Sequence, residues 1–157
     1  YTDSDWAGDK DTRHSTSGHI MYLGDSPVSW YSGKQGLVTT STTEAEYVSM
    51  SLAAKEVCYM RNLLESIELR QDTTVLFGDN QGALFLGDNP KTSSRTKHIS
   101  IKYHHIRELT QQGAIKLVYC ETAKMVADVL TKALGRNKFT VHLPRLLNMS
   151  ARGGVGI

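Results

Sequence analysis

Four acidic residues that are far apart in the sequence constrain how this chain can fold. Asp3 and Asp79 follow predicted strands, and Glu46 and Asp128 lie in the first turns of predicted helices. The ends of sheet strands are exposed at the rim where α/β folds place their sites. Carboxylates that meet there repel by about 4 kcal/mol per pair at ~4 Å and an effective dielectric near ~20. The cluster becomes favourable if divalent cations neutralise it, and oxygen ligands suit Mg²⁺ or Mn²⁺.

Each acid also has a purely structural interpretation. The helix dipole favours a carboxylate near a helix N-terminus by ~0.3–1 kcal/mol, and Glu46 and Asp128 could serve that purpose alone. Ser41 and Glu44, however, have the spacing of a capping box, which assigns the capping role to Glu44 and leaves Glu46 for another. Taken together, the four acids favour metal ligation.

The size and composition of the chain indicate one α/β domain. Its 157 residues are 39% hydrophobic, enough for one core, and no apolar run approaches the ~20 residues of a membrane span. We predict a domain over 1–149 and a flexible, glycine-rich tail over 150–157. Because no apolar run precedes Asp3, we expect an incomplete first strand. The further predicted elements are strands over 19–23 and 27–31, a helix from Ser41 to about Ile67, a strand over 75–77, helices over 80–86 and 98–112, a strand over 114–120, and helices over 125–134 and 137–149.

The net charge of +2 conceals an uneven distribution of charge. Five basic residues and no acid lie between Lys91 and Arg107, and five more with no acid follow Asp128, whereas the first twelve residues contain four aspartates. Basic flanks around an acidic centre fit a polyanionic substrate that is handled by metal ions. Solvated helix faces are the structural alternative.

The order and spacing of eight short motifs carry a family resemblance over residues 1–149. The motifs are Tyr-Thr-Asp-Ser-Asp-Trp-Ala-Gly-Asp at 1–9, Arg-His-Ser-Thr-Ser-Gly-His at 13–19, Val-Ser-Trp-Tyr-Ser-Gly-Lys-Gln at 28–35, Ser-Thr-Thr-Glu-Ala-Glu-Tyr at 41–47, Asp-Asn-Gln-Gly-Ala at 79–83, Arg-Thr-Lys-His-Ile at 95–99, Tyr-His-His-Ile-Arg-Glu at 103–108 and Ala-Asp-Val-Leu-Thr-Lys-Ala-Leu at 127–134. In these motifs the chain resembles the ribonuclease H domain of Ty1/copia-type LTR retrotransposon polyproteins.

The resemblance implies an α/β ribonuclease H-like fold, with a five-stranded mixed sheet of order 3-2-1-4-5 flanked by helices. It implies hydrolysis of the RNA strand of RNA–DNA hybrids with two Mg²⁺ ions, which Mn²⁺ could replace, and products with 5′-phosphates. By position, Asp3, Glu46, Asp79 and Asp128 are the implied catalytic and metal-binding residues. One ion activates water in that mechanism, and the other stabilises the leaving 3′ oxygen.

The resemblance also implies partners and a location. The partners are the hybrid and the upstream reverse transcriptase domain of the same polyprotein, with no membrane and with a monomeric isolated domain. The location is cytoplasmic, in a virus-like particle, or nuclear. Because hybrids are recognised by shape and backbone, we predict nucleic-acid contacts at eight positions: Ser4, Lys34, Ser41, Thr42, Asn80, Gln81, Arg95 and Lys97.

The chain departs from the family pattern in the loop before Asp128. Many ribonucleases H have a histidine there, and residues 119–127 contain none, so Glu121 or Lys124 could substitute or the step could proceed without such a group. Two other functions stay open. A non-catalytic domain would bind or tether the hybrid without cutting it, and a related two-metal nuclease or integrase core would cut duplex DNA.

Overall fold

The computed structural model describes residues 1–88 and 100–149. Its strands are β1 Thr2–Asp5, β2 Thr16–Leu23, β3 Ser26–Lys34, β4 Thr74–Gly78 and β5 Ile115–Tyr119, and its α-helices are α1 Thr42–Ser66, α2 Gln81–Asp88, α3 Ser100–Gln111 and α4 Arg136–Leu146. Two short 3-10 helices, Thr122–Lys124 and Val126–Leu130, follow β5. None of the helices in these two ranges combines the length and the apolar character that a membrane crossing requires. The predicted tail over 150–157 lies outside the described residues.

The strands form two hydrogen-bonded groups. β1, β2 and β3 make an antiparallel sheet in that order, and β4 pairs with β5 in parallel. β1 and β4 contact each other, but no ladder joins them among the described residues, so the predicted single sheet of order 3-2-1-4-5 is not confirmed. β1 is four residues long and pairs along its whole length with β2. Residues of β2 and β4 instead line a shared groove of about 760 Å³.

The hairpin of β2 and β3 is longer than its predicted strands. Pairing runs from Leu23↔Ser26 at the turn to Thr16↔Lys34 at the far end. The turn depends on Gly24, whose φ of 59° suits a residue without a Cβ atom at the first position of a two-residue hairpin loop. The added length matters for the site because β2 then pairs with all of β1.

Helix α1 begins where the sequence predicts. The Ser41 side chain accepts a hydrogen bond from the backbone N–H of Glu44 at 3.1 Å, which caps the helix. The Glu44 carboxylate accepts from the backbone N–H and the hydroxyl of Thr40, each at 2.7 Å, one residue earlier than an ideal capping box. The start of the helix is thereby fixed, and with it the position of Glu46 in the first turns.

The main core lies between α1 and the strands. Tyr47, Met50 and Val57 of α1 are nearly fully buried, and Leu76 of β4 and Ile106 of α3 pack in the same cluster. Burial of a large apolar side chain contributes about 1.5–3 kcal/mol. The cluster therefore packs α1 against β4 and α3, and separate contacts join α1 to β1.

The predicted helix over 125–134 is wrong in type and length. The structure has a 3-10 helix over Val126–Leu130, in which the N–H groups of Asp128 and Thr131 bond to carbonyls three residues earlier, Met125 and Asp128, at 3.2 Å. This segment packs against β2 at Gly18, where the absence of a Cβ atom allows a close approach. This tight turn brings the side chains of both Asp128 and Thr131 close to β1.

The contact at Gly18 leads to a stability prediction. A Cβ atom there would lie 2.8 Å from Thr131 Cγ2 and 2.9 Å from Leu130 Cβ. Overpacking of this kind costs about 1–3 kcal/mol, so we expect Gly18→Ala to lower the free energy of unfolding by that amount in urea denaturation. Gly36→Ala is the matched control, because a Cβ at Gly36 meets nothing within 4 Å. Equal stability of the two variants would contradict the prediction.

Candidate metal centre

Three of the four predicted carboxylates converge. Asp3 lies within β1, Asp79 follows the last residue of β4, and Asp128 lies in the 3-10 helix. One carboxylate oxygen from each lies within 4.8 Å of the other two, and Asp3 and Asp128 are almost fully buried. Anions this close in a buried setting repel strongly. A positive charge close to these carboxylates would therefore stabilise the arrangement.

Glu46 lies beside this group of three and interacts with it electrostatically. It is buried on α1, and its Oε1 accepts a hydrogen bond from the backbone N–H of Ser4 at 3.2 Å. Burial first, and then the charges of Asp3 and Asp79, raise the pKa of Glu46 to about 8. The structure thus brings Glu46 to the edge of the cluster, where added positive charge would favour its ionised form.

Two neighbours of Asp128 in sequence also contact the cluster. The Thr131 hydroxyl donates a hydrogen bond to Asp3 Oδ2. The Lys132 ammonium lies 3.6 Å from Asp3 Oδ2 and 3.1 Å from Asp128 Oδ1. Burial raises the pKa of Asp3, while Thr131 and Lys132 oppose that shift. Burial acts to lower the pKa of Lys132, but the carboxylates outweigh it and the pKa stands above its ordinary value.

Hydroxyl groups hold the carboxylate-bearing segments in place. The Ser49 hydroxyl of α1 donates to the backbone carbonyl of Asp3 at 2.6 Å and lies 2.9 Å from the hydroxyl of Thr2. On the other side, the Thr122 hydroxyl donates to Asp79 Oδ2 at 2.8 Å. These bonds tie β1 to α1 and link the residue after β4 to the turn after β5.

Sequence reasoning missed Thr122, Thr131 and Lys132. The spacing of Thr131 and Lys132 from Asp128, three and four residues, was an available signal, because residues so spaced share one face of a helical turn. Thr122 had no comparable signal. Its contact with Asp79 joins residues 43 positions apart and depends on the tertiary fold.

Comparison with curated proteins identifies relatives over most of the chain. A segment of a retrovirus-related Pol polyprotein from transposon RE1 of Arabidopsis thaliana is 46% identical over 140 residues, and one from transposon TNT 1-94 of Nicotiana tabacum is 40% identical over 139. Each alignment covers 88% of this chain. The chain is homologous to a segment of Ty1/copia-type retrotransposon Pol polyproteins. It spans about a tenth of the length of these relatives, and no family model matches it.

The chain has a ribonuclease H-like fold. Ribonuclease H1 from the halophilic archaeon Halobacterium salinarum superimposes with a TM-score of 0.61, covering 83% of this chain and 91% of the archaeal one. At 18% identity the likeness concerns the fold alone. The predicted α/β ribonuclease H-like fold and the family resemblance are therefore confirmed.

The side chains at this cluster fit a divalent cation. The donors are carboxylate oxygens, which are the ligands that Mg²⁺ and Mn²⁺ prefer. The buried Ser4 hydroxyl, beside Asp3 in β1, has no hydrogen-bond partner among the described residues. An unpaired buried hydroxyl is costly unless a ligand or water completes its bonding. The carboxylate donors therefore fit a divalent cation at this cluster, whereas Ser4 follows Asp3 in β1 and its side chain points to the opposite face of the strand.

The predicted nucleic-acid contacts lie in different parts of the structure. Ser4 is buried, and Asn80 Oδ1 accepts a hydrogen bond from the N–H of Ala83 at 2.9 Å near the start of α2. Gln81 is exposed beside it. These residues flank the carboxylates, which is compatible with contact to a bound strand. Their predicted role stays a prediction.

The remaining predicted contacts lie at the start of α1, at the end of β3 or outside the described residues. Ser41 and Thr42 are exposed at the N-terminus of α1, with the Ser41 hydroxyl engaged in the cap. The ammonium of Lys34 forms an ion pair with the Asp9 carboxylate. This pair reduces the positive charge that Lys34 offers a phosphate. Arg95 and Lys97 lie outside the described residues.

Proposed function

We propose that this chain is a ribonuclease H that cuts the RNA strand of RNA–DNA hybrids during retrotransposon reverse transcription. The convergence of Asp3, Asp79 and Asp128 within 4.8 Å on a ribonuclease H-like fold is the observation that carries the proposal. Homology to Pol polyproteins supports it. In such a polyprotein the domain acts beside a reverse transcriptase, inside the particle of the element.

In this proposal the four acidic residues are the metal ligands. Asp3, Asp79 and Asp128, with Glu46 at the edge, would hold two Mg²⁺ ions. When bound, these cations polarise the scissile phosphate and activate water for attack on phosphorus. The Thr131 hydroxyl and the Thr122 hydroxyl fix the carboxylates of Asp3 and Asp79 for this task. Fixed ligands lower the reorganisation needed during the reaction.

Metal dependence is the primary test. We expect the purified chain, at low salt with Mg²⁺ or Mn²⁺, to cut the labelled RNA strand of a hybrid and to leave 5′-phosphate and 3′-hydroxyl ends. Chelation with EDTA should abolish cutting, because uncompensated carboxylates cannot bind the phosphate. The controls are the labelled DNA strand of the same hybrid, a DNA duplex and single-stranded RNA.

The other outcomes distinguish the alternatives. Binding of the hybrid without cutting, at any metal concentration, would contradict catalysis and favour a tethering domain. Cutting of duplex DNA would instead favour an integrase-like nuclease. Binding should weaken steeply with salt, since contacts to phosphates release counterions. A parallel measurement with the domain fused to its reverse transcriptase would show how much of the affinity the polymerase contributes.

A further inference from the structure

One cation already occupies the cluster of carboxylates, and it belongs to the chain. The Lys132 ammonium lies between Asp3 and Asp128, 3.6 Å and 3.1 Å from their nearest oxygens. The side chains of Asp3 and Asp128 are 2% and 3% exposed, whereas that of Lys132 is 36% exposed. The Lys132 side chain is therefore partly accessible to solvent, whereas its ammonium lies beside the buried carboxylates.

A divalent ion bound at this cluster would share the carboxylates of Asp3 and Asp128 with this ammonium. Mg²⁺ binds carboxylate oxygens at about 2.0–2.1 Å with an octahedral set of ligands, so it would lie within a few ångströms of Lys132 Nζ. A divalent and a monovalent cation at ~4 Å repel by roughly twice the value for unit charges. The flexible four-carbon stem and the solvent access of Lys132 give the ammonium a path out of the cluster.

We propose that Lys132 is an intrinsic counter-ion of the metal-free centre and that a divalent cation must displace it. The inference rests on the proposed metal site and deepens it. Lys132 stabilises the folded chain before metal arrives, because it neutralises part of the charge of Asp3 and Asp128. By the same contacts it weakens metal affinity, because the contacts are lost when the ion binds. Lys132 is therefore a positioning residue of the metal-free state.

The test compares metal binding by the 157-residue chain with Lys132 and with Lys132→Met. Binding of Mn²⁺ is followed by electron paramagnetic resonance and thermal melting is measured with EDTA and with MgCl₂. We expect Lys132→Met to melt at a lower temperature in EDTA and to bind Mn²⁺ about fivefold more tightly, which corresponds to ~1 kcal/mol. Lys55→Met is the matched control, because Lys55 is an exposed lysine of α1. Its Mn²⁺ affinity should equal that of the wild type.

Each other outcome has a defined meaning. If the wild type binds Mn²⁺ and Lys132→Met binds it equally or more weakly, the inference is overturned and the proposed nuclease function is untouched. If neither binds Mn²⁺ and the wild type cuts no hybrid, the proposed function fails and this inference fails with it. If Lys132→Met is unfolded in EDTA, refolding on addition of MgCl₂ supports the inference, and failure to refold overturns it.

Discussion

Asp79→Asn is expected to lower metal-dependent cutting of an RNA–DNA hybrid about a thousandfold. The substitution keeps the shape of the side chain and an oxygen that can accept the bond from the Thr122 hydroxyl, but it removes one charge from the cluster. Cations that stabilise a phosphoryl transition state are worth several kcal/mol, and ~4 kcal/mol corresponds to about three orders of magnitude in rate. Asp79 is only partly buried, so we expect the folded state to persist.

Single-turnover rates at saturating Mg²⁺ measure this effect, with circular dichroism and thermal melting to verify folding. The matched control is Asp72→Asn, an exposed aspartate that lies before β4, at the end opposite to Asp79. The control should retain the wild-type rate. A folded Asp79→Asn protein with a rate within about tenfold of the wild type, a loss of only ~1.4 kcal/mol, would remove Asp79 from the proposed metal site.

In the metal-free protein, stability is expected to fall as pH rises from about 4.5 to about 8. Burial first, and the charges of Asp3 and Asp79 second, raise the pKa of Glu46 from 4.5 to about 8. The unfolded chain releases this proton near 4.5, whereas the folded protein keeps it until about 8. Stability is therefore complete below the unfolded value and is lost through the folded value. At 1.36 kcal/mol per pKa unit the loss is at most ~5 kcal/mol.

Urea denaturation in EDTA between pH 4.5 and 8.5 measures this dependence. Glu46→Gln removes the titrating group, so it should flatten the profile and raise stability at pH 8. Glu65→Gln, an exposed glutamate of the same helix, should leave the profile unchanged. Saturating Mg²⁺ should also flatten the profile, because positive charge favours the ionised carboxylate. A profile that Glu46→Gln does not change would show that Glu46 is not the source.

Local chemistry explains which parts of the fold the sequence predicts well. Ser41 starts α1 because a hydroxyl can accept the bond that a free N–H of the first turn requires. Gly24 allows the hairpin turn because it lacks a Cβ atom. Asp79 follows β4 directly, so its position at a sheet edge could be inferred from the apolar run before it. These features depend on neighbours in sequence.

Tertiary contacts explain what the sequence could not predict. The segment around Asp128 has helical spacing, yet packing against Gly18 selects a 3-10 helix. The contact of Thr122 with Asp79 and that of Thr131 with Asp3 exist only once separate segments meet. The same holds for Glu46, whose proximity to the other acids depends on how α1 lies across β1. Periodicity and capping contain no information on such distances.

The bond between Thr131 and Asp3 joins positions 128 residues apart. A ribosome makes Asp3 among the first residues of this segment and Thr131 near its end, so Asp3 must remain without this partner during nearly all of the segment's synthesis. A nascent chain that stops short of Asp128 has the strands and the long helix but not the third carboxylate. In the proposed ribonuclease H, cutting would therefore begin only after this late turn has docked against β1. Contacts between such distant positions also form slowly, so docking of this turn is expected to be a late event in folding.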